Sequence, residues 1–238
     1  MGKIVSISNH KGGVGKTHTT FHSLGALSHA GFRVLGIDLD PQGNLTELLL
    51  SQRSATTIYD VLVDQVPLSA AIATTSIPGL DAVANDKRLG EGLALALQHE
   101  PDAQVRLDAA IRERQEQAQP YDAILIDCPP NLGLATCNAL AASNGVIIPL
   151  EADKFSVEGL KEQLDLIEKI RRVNPGLRVE GLLISLFNGR RTIEQMFEEA
   201  LRAYPGVQVL DVRIKNSAKY REAISARQPI TYYKPGSE

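Results

Sequence analysis

The stretch His10-Lys11-Gly12-Gly13-Val14-Gly15-Lys16-Thr17 constrains this 238-residue chain more than any other part of it. Ahead of it, Ile4-Val5-Ser6-Ile7-Ser8 is an apolar run that reads as a short buried strand. Behind it, residues 17–30 show helical spacing, with Phe21, Leu24 and Leu27 on one stripe. Strand, glycine-rich turn and helix together are the setting of a phosphate-binding loop. The glycines let successive backbone N–H groups curl round an anion, and the helix N-terminus adds partial positive charge. In such a loop Lys16 reaches the β- and γ-phosphates and the Thr17 hydroxyl ligates Mg²⁺.

The loop departs from GxxxxGK[ST]: the glycine expected five residues before Gly15 is His10, and a second lysine, Lys11, follows it. Written KGGVGKT, it resembles the deviant Walker A loop of the ParA/MinD group of P-loop ATPases. The resemblance implies ATP bound by Lys11, Gly12, Gly13, Val14, Gly15, Lys16, Thr17 and His18, with Lys11 reaching across a dimer interface to the partner's nucleotide. Taken alone, without the rest of the motif, Lys11 reads better as a solvated lysine.

Two further segments fit. Arg33-Val34-Leu35-Gly36-Ile37 reads as a strand running into Asp38-Leu39-Asp40-Pro41. A side-chain period of two puts Asp38 and Asp40 on one side, at the strand end where open α/β sheets bind ligands. Tyr121-Asp122-Ala123-Ile124-Leu125-Ile126-Asp127 is an apolar strand ending in an acid, the form of a Walker B strand. A strand-terminating Asp-Pro turn and an ordinary apolar strand are the bland alternatives. The resemblance assigns Asp38 and Asp127 to the Mg²⁺ shell and Asp40, with Lys11 and Lys16, to catalysis, Asp40 orienting the attacking water. It also makes residues 131–136 a switch that senses the γ-phosphate.

Charge is uneven along the chain. Residues 1–170 have a balance of −8 and residues 171–238 one of +5. Such asymmetry hints at a polyanion-binding surface, and a solvated basic face explains it as well. The candidates are Arg190, Arg191, Arg202, Arg213, Lys215, Lys219, Arg221 and Arg227. Their aromatic neighbours do not form the interleaved pattern of a base-stacking surface, so contacts would go to phosphate and ignore base sequence. Cys128 and Cys137 have no CxxC partner, which argues against zinc or iron–sulfur ligation. No run of about 18 apolar residues is present, so neither a membrane span nor a signal peptide is expected.

Strands are expected over 3–8, 33–38, 80–84, 121–127, 144–150, 180–187 and 207–214. Helices are expected over 16–30, 44–50, 102–117, 132–141, 156–173, 192–203 and 217–227. The helix over 156–173 carries Val157, Leu160, Leu164 and Ile167 on a core-facing stripe. Alternation of this kind predicts an α/β fold, a mostly parallel twisted sheet with helices on both faces, in one domain over residues 1–238. Residues 57–63 and 68–72 read as short amphipathic surface elements.

The resemblance to ParA-type ATPases spans most of the chain, and makes the fold a P-loop NTPase of the deviant Walker A type. It places Asn188 at the adenine, and leaves no room for an N-terminal helix-turn-helix. His18 stands where the family has threonine, and Ile214-Lys215-Asn216-Ser217 departs from its Ile-Pro-Arg-Asn. The tail after residue 230 lacks the expected closing helix. The implied function is a slow, Mg²⁺-dependent ATPase that forms a homodimer on ATP. That dimer binds DNA nonspecifically in the cytoplasm, at the nucleoid, and partitions DNA with a ParB-like activator. A ParA-like ATPase that positions a protein cargo shares these features. A MinD-like membrane-cycling ATPase would need a C-terminal amphipathic anchor, so no membrane contact is expected.

Overall fold

The computed structural model describes residues 2–117, 119–187 and 192–235. The strands are β1 (Lys3–Ile7), β2 (Val34–Asp38), β3 (Ile72–Thr74), β4 (Leu80–Val83), β5 (Ala123–Asp127), β6 (Gly145–Leu150), β7 (Arg178–Phe187) and β8 (Val209–Lys215). The helices are α1 (Lys16–His29), α2 (Asn44–Leu49), α3 (Ile58–Val63), α4 (Leu68–Ala71), α5 (Glu91–Ala96), α6 (Arg106–Glu116), α7 (Leu134–Ala142), α8 (Lys154–Ile170), α9 (Thr192–Arg202), α10 (Ala218–Ser225) and α11 (Ile230–Tyr233). All seven expected strands and all seven expected helices are present, with ends shifted by up to four residues.

The strands form one sheet in the order β3-β4-β2-β5-β1-β6-β7-β8. Every pairing is parallel except β3 with β4. Because helices cover both faces, the central strands are apolar along nearly their whole length, and β2 is buried at every position. On one face Phe21 and Leu24 of α1 pack on Val34, Leu80 and Ala82. On the other, Ile58, Val61 and Leu62 of α3 meet Leu107, Ile111 and Ala139. A third cluster joins Leu160 and Ile167 of α8 to Leu182 and Ile184, with Leu164 at its edge.

Register positions the site. Asp38 on β2 pairs across from Asp127 on β5, and Ile7 on β1 pairs with Asp127 from the other side. The chain reverses direction across the sheet beside β1, at the carboxyl ends where such sheets bind ligands.

Three readings of the sequence need correction. Residues 68–72 are not a surface element alone, since α4 runs directly into β3, the antiparallel edge strand. Residues 57–63 supply α3 and its N-cap, Thr57, and this helix is amphipathic as expected but buries Ile58, Val61 and Leu62 in the core. Residues 230–233, where no element is expected, form the four-residue helix α11, seated on α1.

Candidate functional site

The glycine-rich turn leaves β1 and re-enters helix at Lys16. Gly13 and Gly15 have φ of 78° and 79°, a left-handed backbone that side chains with a Cβ resist. Gly15 caps α1, so the first-turn N–H groups of that helix face the loop. Lys16 is buried within the loop, where its Nζ donates to the Lys11 carbonyl oxygen at 2.8 Å. The Ser185 hydroxyl on β7 donates to the Val14 carbonyl at 2.7 Å and pins the loop to the sheet.

Three carboxylates converge beside it. The Thr17 hydroxyl donates to Asp127 Oδ2 at 2.6 Å, and the Thr20 hydroxyl reaches Asp127 Oδ1 at 3.3 Å. Asp38 accepts from the Thr46 N–H and hydroxyl, each at 2.7 Å, and from the Asp40 N–H at 3.0 Å. Asp40 accepts from the Gln42 N–H at 3.0 Å. β2 ends at Asp38, so strand alternation does not present Asp40. A turn does, and the buried Asn85 amide donates into it, to the carbonyls of Asp40 at 2.9 Å and Pro41 at 3.1 Å.

Burial sets the electrostatics. It pushes the Asp38 carboxyl up to about 6, against the pull of the Thr46 hydrogen bonds. It raises Asp127 well above the usual carboxylate range, and the neighbouring Asp38 adds to that. Burial lowers Lys16, while Asp127 opposes the shift. The adjacent Cys128 thiol is pushed up to about 12, which leaves it a protonated, inert group. A cluster of this kind gains from a bound cation and, above the loop, a bound polyanion. The donors around Thr17, Asp38 and Asp127 are all oxygen. No three His, Cys, Asp or Glu side chains form a metal cluster among the described residues. That suits magnesium, which keeps waters and phosphate oxygens as ligands rather than an all-protein cage.

A cleft of about 640 Å³ lies over the loop, lined by Gly12, Gly13, Gly15, Lys16, Thr17, His18 and Asp40. It is also lined by Glu47 and Leu48 of α2, by Ile224 and Ser225 at the end of α10, and by Arg227 in the turn that follows. A second cleft, about 240 Å³, adjoins it past Gly15 and His18 and is lined by Leu186, Ile214, Lys215, Asn216, Tyr220 and Arg221. His18, half-buried, borders both.

The other predicted residues are more scattered. Lys11 Nζ lies 2.7 Å from Asp153 Oδ2, at the β6–α8 connection. Arg202 and Arg213 both pair with the buried Glu198, and Arg213 stacks on Phe187. Lys215, Arg221 and Arg227 line the two clefts, and Lys219 sits in the first turn of α10. Asn188, Arg190 and Arg191 lie outside the described residues. Sequence reasoning missed Thr46, Asn85, Ser185 and Asp153. For Ser185 and Asn85 a signal existed: a polar residue inside, or just past, an apolar strand.

A protein-family model described as an AAA domain matches residues 2–179. The chain is 36% identical to the chromosome partitioning protein ParA of Caulobacter vibrioides, over 97% of this chain and 87% of that protein. It is 36% identical to the sporulation initiation inhibitor protein Soj of Bacillus subtilis, over 100% and 93%. Among solved structures it is similar to cobyrinic acid a,c-diamide synthase from Mycobacterium smegmatis with bound ADP and magnesium. That likeness has a TM-score of 0.85 at 30% identity, over 99% of this chain and 97% of that one.

Proposed function

The chain belongs to the ParA/Soj family of partition ATPases, and from that premise we propose a Mg²⁺-dependent ATPase whose nucleotide state controls its assembly on DNA. The observation that carries this reading is the β2–β5–β1 register. It sets Asp38 and Asp127 side by side beneath the loop that buries Lys16. Lys16 and the loop N–H groups stabilise charge on the phosphate chain of ATP. The Thr17 hydroxyl, Asp38 and Asp127 would hold magnesium and its waters, and that ion would supply neutralising charge to the phosphate chain. Asp40, fixed by its turn, positions the attacking water. With ATP bound, two subunits pair, and Lys11 of each reaches the other's triphosphate. The dimer binds DNA through phosphate contacts along the basic C-terminal part, at the nucleoid, as one ATPase domain. A ParB-like activator speeds an otherwise slow hydrolysis and releases it.

The test is Lys11→Ala and Asp40→Ala in ATPase, sedimentation and DNA-retention assays. Asp40→Ala should hydrolyse at least about a hundredfold more slowly and stay on DNA as an ATP-bound dimer. Lys11→Ala should bind nucleotide and remain monomeric. Unchanged turnover in Asp40→Ala removes its role, and a monomer with magnesium and AMPPNP removes the dimer switch. The Mycobacterium neighbour bears a biosynthetic name, so ATP turnover with and without DNA separates a partition ATPase from an amide-forming enzyme. Stimulation by DNA and a ParB-like partner supports the first.

A further inference from the structure

We infer that Arg227 is a second cation of the nucleotide cleft, held at its rim to bind the phosphate chain. The inference rests on the nucleotide reading above and goes beyond it. Among the described residues four that are not glycine have positive φ: Gln65, Gln119, Leu186 and Arg227. Two of them, Leu186 and Arg227, line the cleft that holds Lys16, Thr17 and Asp40. Left-handed backbone is disfavoured for any side chain with a Cβ, and residues kept there gather at sites of function. Arg227 has a φ of 51° in the turn from α10 to α11. Its N–H donates to the Ile224 carbonyl, and the Gln228 N–H to that of Ala223. This is a helix C-terminal turn, where glycine is the default residue. Here the position carries a long cation, whose guanidinium pairs with no carboxylate among the described residues.

Charge gives the reason. Lys16 is recessed, with its Nζ on a loop carbonyl, while Asp40 and Glu47 face the same cleft. Without Arg227 the outer cleft would present carboxylates to an entering triphosphate. A guanidinium fits phosphate oxygens by shape as well as by charge. The α10 segment also carries Lys219 and Arg221, so a phosphate contact at Arg227 would tie nucleotide occupancy to the proposed DNA surface.

The experiment compares the full chain with Arg227→Gly, Arg227→Lys and Lys16→Ala. Calorimetry measures AMPPNP and ADP binding with magnesium across a salt series, alongside melting temperature and DNA retention. Glycine suits the left-handed turn, so Arg227→Gly should melt no lower than the parent, and about 2 °C higher if strain is relieved. Its AMPPNP affinity should fall about tenfold, a gap that narrows as salt rises and that lysine partly restores. Equal AMPPNP affinity in Arg227→Gly and the parent overturns the inference. So does a loss confined to DNA retention, which would make Arg227 a DNA contact alone. If the parent itself binds no AMPPNP, the nucleotide reading fails instead. If only Lys16→Ala loses binding, that reading stands without Arg227.

Discussion

His22 shows how much a single buried ring can cost this chain in acid. It lies one turn beyond the phosphate loop, and its Nδ1 accepts the Ile230 N–H at 3.1 Å. Burial, with His18 adding, lowers its pKa from 6.5 to about 4. Above pH 6.5 the ring is neutral in folded and unfolded chains, and it contributes nothing to pH dependence. Between about 6.5 and 4 the unfolded chain takes up a proton that the folded chain refuses, so stability falls as pH falls. A shift of this size corresponds to at most about 3 kcal/mol across that window. The raised carboxyls of Asp38 and Asp127 act with the opposite sign at the same pH, and His18, lowered by burial, acts with the same sign. The difference between parent and variant therefore isolates His22. Asn in its place keeps an acceptor for the Ile230 N–H without a titrating group. Denaturant melts of His22→Asn from pH 7 to pH 4 should lose less stability than the parent, and equal slopes would contradict the burial argument.

At the scale of elements, the clearest dependence is that of α11 on a glycine. A Cβ on Gly25 would lie 2.0 Å from the Cβ of Pro229, the N-cap residue just before α11. The same seat is held by Tyr232, whose hydroxyl meets Ser28 Oγ at 2.9 Å. Gly25→Ala must push the tail off α1, at a cost of about 1–3 kcal/mol. The variant should melt several degrees lower and be clipped sooner after residue 228 in limited proteolysis. An unchanged melt and digestion pattern would refute the close fit. This contact also marks the limit of what was legible. The seven long strands, the phosphate loop and Asp127 announced themselves by local pattern, since a buried parallel strand needs an unbroken apolar run. β3 did not, because three residues carry too little period to read, and its partner β4 lies beyond the turn that follows it. Asn85 and Ser185 act on loops 45 and 171 residues away, a pairing that only the folded sheet creates. The basic tail was legible as charge, but its geometry was not. Glu198 neutralises two of the arginines, and others turn to the clefts.

For the whole molecule the question is what the monomer must give up to pair. Lys11 is the residue proposed to reach the partner's triphosphate, yet its Nζ lies 2.7 Å from Asp153 within the same chain. Both side chains are about one-third exposed, at 30% and 35%, so the pair is partly screened. Pairs of this kind are worth about 0.5 kcal/mol. If Lys11 leaves Asp153 on dimerisation, that energy opposes assembly, and removing the carboxylate should favour it. Asp153→Asn is then expected to tighten the AMPPNP-dependent dimer about twofold, with a smaller gain at high salt. Sedimentation velocity over a concentration series, with magnesium and AMPPNP, reads this directly, and Lys11→Ala provides the monomeric limit. A weaker dimer in Asp153→Asn would mean that the carboxylate supports the lysine inside the assembled pair rather than restraining it before pairing.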